Sequence, residues 1–278
     1  MSEHASNPNE LAENIRSSIR HFSLMNSLLS VLNASEHNTN NSVLARYFLE
    51  HFDQLDQLNV YDVADACFTS RSGIRRFCQS IGLDNFSDLK SYTWEWTCHR
   101  NLYVDYTNHP SYRMHLAGGI TEMFEHIDAL ASDAFLDDLA HFLHGAEDVV
   151  ILTSDFSSMS VWQFQQSMLY LHKIVHVVTD SAGDISQIGT LDSKDALVVI
   201  SEHGNYAKAV QEALSTSPVP RALITVDGSP ELRAAFDYVI RLAGEQELHG
   251  RTVYANYGIM YFLDLLYNRY FTLFDRDE

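Results

Sequence analysis

Five short apolar runs in the second half of this 278-residue chain constrain its fold more than any other feature. They cover residues 148–153, 174–179, 196–201, 222–226 and 238–242. Each is rich in β-branched residues and mostly lacks polar alternation, which suits a strand buried on both faces. Helical segments lie between them, including 159–172 and 206–214. Strand and helix in alternation predict a doubly wound parallel sheet, with right-handed crossovers. Helical patterns over 114–131 and 133–144 precede the first run, and a last helix is expected over 253–271. That helix holds Tyr254, Tyr257, Tyr261, Phe262, Leu265, Leu266 and Tyr270, a heavy apolar load for a solvated surface. Packing on the sheet and on a second subunit would cover it.

The first half reads as all-helical. A single helix is expected over about 11–32, then a polar tract from Asn33 to Asn41 acting as linker or loop. Val43, Leu44, Tyr47, Phe48 and Phe52 mark an amphipathic helix. Residues 59–82 then read as helix, tight turn and helix. Asn59 can cap the first helix, and Ser70 the second. Ile74, Phe77, Cys78 and Ile81 recur at i, i+3, i+4 and i+7, one buried face. Gly82 suits the position after the helix end. Ser70, Arg71, Ser72, Arg75, Arg76 and Gln79 are left outward. Arginine reads guanine bidentately, glutamine reads adenine, and either holds phosphate. The pattern is that of a helix-turn-helix whose second helix enters the major groove. The plainer reading is an ordinary α-hairpin with a solvated basic face. A further helix is expected from Asn85 or Ser87 through Trp94 and Trp96 to about Tyr103. Pro110 and its polar neighbours in 105–113 look like an inter-domain linker.

The domain organisation that follows is a helical extension and polar linker over 1–41, a helix-turn-helix domain over 42–104, a linker over 105–113, and an α/β domain over 114–278. The net charge is −19. Residues 1–113 hold 9 basic against 13 acidic side chains, and residues 114–278 hold 9 against 24. Such a surface repels nucleic acid at long range, so any DNA contact has to be local and salt-sensitive. Between Thr69 and Ile81 there are three arginines and no acid. No apolar run approaches the length of a membrane span, and residues 1–13 lack a signal-peptide core. Cys67, Cys78 and Cys98 lack metal-ligand spacing and suit a reducing compartment, so a cytoplasmic protein without membrane association is expected. There is no HExxH, GxxxxGK[ST] or GxGxxG motif, hence no expected metal, cofactor or catalytic set. Glu245, Glu247 and His249 lie close together, but read as a solvated polar loop rather than an acid–base group.

The order of domains resembles RpiR/MurR-type bacterial transcriptional regulators, from about Val43 to Phe271. Val63-Ala64, Ser70, Ile74-Arg75-Arg76-Phe77-Cys78 and Ile81-Gly82-Leu83 sit where that family has "LA … S … V-x-R-F … LG". Phe86-Ser87-Asp88-Leu89-Lys90 resembles its "F-x-E-L-K". Gly73 stands at the family's usual threonine, at a helix cost of about 1 kcal/mol relative to alanine. Ser80 stands where a basic residue is common.

The second half resembles the sugar isomerase (SIS) domain, in which turns after the first and third strands cradle a phosphate with N–H groups, hydroxyls and helix ends. Here Ser157, Ser201 and Gly204 match the pattern. Thr153 and Asp155 replace glycines, His203 replaces a serine and Tyr206 a threonine. The resemblance implies a ligand site at Ser154, Ser157, Ser158, Ser201, His203 and Gly204, with the Asp155 and Glu202 carboxylates in or beside it. Three readings stay open: an uncharged or amino sugar, a sugar phosphate, or a degenerate pocket serving only assembly. The resemblance also implies double-stranded operator DNA as partner and a homodimer or homotetramer. An isomerase-like enzyme and a scaffold that has lost both activities are the alternatives.

Overall fold

The computed structural model describes residues 8–20, 23–34, 39–154, 157–179, 184–243 and 254–275. They form two units. One is Arg20–Asn108, and the other joins Met1–Ile19 to His109–Glu278.

The sequence pattern of one helix over 11–32 is replaced by two, α1 (Pro8–Arg20) and α2 (Leu24–Ala34). Ser23 restarts the helix by accepting the Asn26 N–H at 3.1 Å. Glu95 then takes the Ser23 hydroxyl, the Leu24 N–H at 3.0 Å and the Met25 N–H at 3.4 Å. First-turn N–H groups have no partner within their own helix, and they favour a negative group. That is the physical reason for the break, and it spans more than seventy residues of sequence. The expected polar tract is also shorter. Helix α3 (Asn40–Glu50) begins inside it, capped by Thr39, whose hydroxyl oxygen accepts the Ser42 N–H at 3.2 Å.

A 3₁₀ turn (Phe52–Gln57), α4 (Val60–Ala66), α5 (Arg71–Ser80), α6 (Phe86–Lys90) and α7 (Thr93–Thr107) complete the helical unit. Its core gathers Leu24 and Leu28 from α2, Leu44 and Phe48 from α3, and Ile74, Phe77 and Cys78 from α5. The Phe48 and Phe77 rings lie 5.8 Å apart. Cys67 and Cys78 are buried free thiols, while Cys98 is exposed. Burial pushes Cys78 up to about 12, which leaves it an inert core residue.

The other unit follows the expected alternation. Helices α8 (Tyr112–Leu130) and α9 (Asp133–Gly145) lead into β1 (Val149–Thr153), α10 (Ser158–Leu169), β2 (His176–Val178), α11 (Ser186–Thr190), β3 (Ala196–Ile200), α12 (Asn205–Leu214), β4 (Arg221–Thr225), α13 (Pro230–Ala235), β5 (Tyr238–Arg241) and α14 (Ala255–Phe274). The strand order is β2-β1-β3-β4-β5, and every pairing is parallel. All residues of β1 and β3 are buried, as strands covered on both faces require. Leaving β1, the chain goes first to one neighbour and then to the other. The carboxyl ends of β1 and β3 therefore flank the point where an open α/β sheet offers a ligand crevice. Helix α1 belongs to this unit, with Leu11, Ala12, Ile15 and Ile19 buried and Arg16 acting on the charge of Asp184.

Helix α14 is less exposed than its composition suggests. Tyr254 at its N-cap, and Phe262, Leu266 and Tyr270 along it, are buried within the chain; Tyr257, Met260 and Phe271 are exposed. Arg269 anchors it to α9 through both oxygens of Asp137. The more exposed apolar face is on and after α10, where Met159, Trp162, Leu169, Tyr170 and Ile174 reach solvent.

Candidate DNA-binding helix and strand-end site

Helix α5 is set by its ends. Ser70 accepts the Gly73 N–H at 3.1 Å, and its hydroxyl lies 2.8 Å from that of Ser72. Asn59 caps α4 through the Tyr61 N–H at 2.9 Å. Ile74, Phe77 and Cys78 turn inward, which leaves Ser70, Arg71, Ser72, Arg75, Arg76 and Gln79 all exposed on the outer side. Two of them are placed by neighbours. The Arg71 guanidinium lies 4.9 Å from the centre of the Tyr61 ring and donates to the Tyr61 hydroxyl at 3.0 Å. Arg76 lines a cleft with Thr69, Gly73 and the start of α3 at Asn40 and Asn41. A cationic side chain held over an aromatic face loses less freedom on meeting phosphate.

Two features of this motif were not legible in the sequence. The turn is made by Phe68, at φ 50° and 94% exposed, where glycine is the ordinary choice. Gly73, read above as a mere helix cost, has a steric reason: a Cβ there would lie 2.5 Å from the Thr69 hydroxyl oxygen.

A second candidate site lies at the carboxyl ends of β1 and β3. Ser154, Ser157, Ser158 and Ser201 are all buried there. Ser157 holds the N-cap position of α10 yet makes no capping bond. Its hydroxyl donates instead to Glu202 Oε1 at 3.2 Å, joining the two turns. The Ser201 hydroxyl oxygen accepts the Ala207 N–H at 3.1 Å and so helps start α12. Gly204 has φ 77°, and a Cβ there would run into the Asp227 side chain. Asp227 is bonded to Lys208 at 2.6 Å. Burial alone would raise the Asp227 carboxyl, and Lys208 with Ser229 holds it low instead. His203 Nε2 lies 4.0 Å from Glu202 Oε2. Burial pushes the Glu202 carboxyl up to about 7 against the opposing hydrogen bond from Ser157.

The structure thus brings Ser157, Glu202 and His203 together, whereas Ser201 is engaged with backbone and Tyr206 is buried. Glu202 reaches across to the turn after β1. Asp155, Glu245, Glu247 and His249 lie outside the described residues. Among the described residues, no group of three or more His, Cys, Asp and Glu gathers as a metal site, and no helix is long and apolar enough to cross a membrane.

Residues 25–95 match the helix-turn-helix domain of the rpiR family. An uncharacterized HTH-type transcriptional regulator of Caldanaerobacter subterraneus subsp. tengcongensis is 45% identical over 47 residues, a stretch that covers 17% of this chain and 17% of that protein. Among solved structures, the Vibrio vulnificus NanR protein complexed with ManNAc-6P is similar over 91% of this chain and 93% of that one, at 17% identity and a TM-score of 0.47. The sugar isomerase domain of an RpiR transcription factor from Sphaerobacter thermophilus is similar over 59% of this chain and 91% of that one, at 15% identity and a TM-score of 0.48. Residues that cap, pack and expose α5 in the structure fall inside the segment that matches the rpiR-family helix-turn-helix domain, and a five-stranded parallel α/β unit follows it among the described residues.

Proposed function

We propose that this chain is a cytoplasmic, non-enzymatic transcriptional regulator that reads operator DNA with α5 and carries an effector site at the β1 and β3 ends. The observation that carries the reading is the exposed basic face of α5 within the segment matched by the rpiR helix-turn-helix family. In this reading residues 42–104 bind DNA, 105–113 link, and 114–278 form the SIS-like effector and assembly domain. The 1–41 extension gives α1 to one unit and α2 to the other.

DNA contact falls to Ser70, Arg71, Ser72, Arg75, Arg76 and Gln79. Arg75→Ala is expected to weaken binding to a cognate fragment by about 1–3 kcal/mol if it reads a base. Gel retardation against genomic fragments measures this. Unchanged affinity in Arg71→Ala, Arg75→Ala and Arg76→Ala alike, with the fold intact, would remove α5 as the reading helix. Failure of every sugar phosphate to be isomerised separates the regulator from the enzyme reading.

Effector contact falls to Ser154, Ser157, Ser158, Ser201, His203 and Gly204, around Glu202. A regulator of this kind reads paired half-sites as a dimer. The exposed Met159, Trp162, Tyr170 and Ile174 supply an apolar face for a second copy. Sedimentation of the full chain is expected to show a dimer or larger, and Trp162→Glu to shift it toward monomer. A monomer in the unmodified protein at micromolar concentration refutes the assembly. The full chain is needed because α1 is part of this unit.

A further inference from the structure

The crevice at the β1 and β3 ends has a chemical preference of its own. It lies where the chain order of the sheet reverses, the place at which an open α/β sheet receives a ligand. An anion bound there would draw on the Ser157 hydroxyl and the start of α10. That hydroxyl makes no capping bond to its own helix, and it is 1% exposed. It is already taken by Glu202, a residue of the facing turn that reaches across at 3.2 Å. The Ser201 hydroxyl is likewise committed, to the Ala207 N–H.

We propose that the Glu202 carboxyl group is the built-in occupant of this crevice: it holds the hydroxyl and the position that a phosphate group would take, and so closes the unmodified protein to phosphate esters. The proposal rests on the effector reading of the α/β unit. It makes Glu202 the residue that determines ligand class, by two separate means. Its volume and its bond to Ser157 exclude a phosphate whatever its protonation. When ionised, it also repels a phosphate dianion as a like charge at close range. An entering phosphate would have to expel a buried carboxyl and break its bond to Ser157 at the same time.

Two variants of the full chain separate occupancy from charge. Glu202→Gln keeps the size and an acceptor for Ser157, but carries no charge. Glu202→Ser vacates the space. Glucose 6-phosphate and inorganic phosphate serve as calorimetric probes, with a thermal melt on each variant to show that it folds. The unmodified protein and Glu202→Gln are expected to give no binding at about 1 mM probe, and Glu202→Ser to bind glucose 6-phosphate at least about tenfold more tightly. Three comparisons with the variants overturn the proposal. One is unmodified protein that binds glucose 6-phosphate as tightly as Glu202→Ser. Another is Glu202→Gln that binds as well as Glu202→Ser, which would leave charge alone as the cause. The third is a folded Glu202→Ser that binds neither probe. Glu202→Ala vacates the crevice in the same way and replaces the serine variant if that one does not fold. Micromolar binding of the phosphate ester by the unmodified protein decides against the proposal without any variant. No arm uses DNA, so loss of the DNA reading and loss of this proposal are told apart.

Discussion

Glu95→Ala is expected to lower the unfolding free energy of the chain by about 2–4 kcal/mol. Glu95 sits on α7, is 2% exposed, and accepts from Ser23, Leu24 and Met25 at the start of α2. Removing it strands two backbone N–H groups and a hydroxyl that were satisfied in a site with little water. It also leaves a void where the carboxyl was. Burial raises the Glu95 carboxyl and the three hydrogen bonds oppose that rise. Glu95→Gln, which keeps one acceptor, is therefore expected to cost less than half as much. Urea unfolding followed by far-ultraviolet circular dichroism measures both. A loss under about 1 kcal/mol for the alanine variant would mean that α2 is held by Leu24 and Leu28 alone.

Glu202→Gln is expected to stabilise the protein by about 3 kcal/mol at pH 8 and by almost nothing below pH 5. Burial raises the Glu202 carboxyl from 4.5 to about 7 in the folded state. Between those values the native chain binds more protons than the unfolded chain. Its stability is thus full below the unfolded value and falls as pH rises through the folded one. Glutamine carries no such dependence, so the gap between the two proteins opens across this window. Denaturant midpoints at unit steps from pH 5 to pH 8 measure it. Parallel curves for the two proteins would show that the carboxyl is well solvated and does not fill the crevice.

The parts of the fold that sequence made legible are those governed by neighbours along the chain. The i, i+3, i+4, i+7 spacing of Ile74, Phe77, Cys78 and Ile81 located the buried face of α5 and, with it, the outward arginines. Short β-branched runs located the five strands seen among the described residues, because a strand covered on both faces admits few polar residues. What sequence missed depends on partners far away. The break before α2 is invisible in an apolar pattern that continues on both sides of it; only the arrival of Glu95 makes it favourable. Glu95 itself looks like a surface residue among tryptophans. Glu202 was legible as a carboxylate in or beside the strand-end turns, but its bond to Ser157 joins turns 45 residues apart. Phe68 carries no local sign that it will adopt a left-handed backbone.

The place of α1 has a consequence for how the chain is made. Its buried face, Leu11, Ile15 and Ile19, is translated before the helical unit, but the unit that covers it is encoded after Asn108. At about 5–20 residues per second, translation of the intervening helical unit alone takes roughly 5–20 s. For that interval the helical unit can fold on its own, while the apolar stripe of α1 stays uncovered. An uncovered stripe of this kind is a site for nascent-chain chaperones, and the docking of α1 onto its own unit comes after the helical unit has been made.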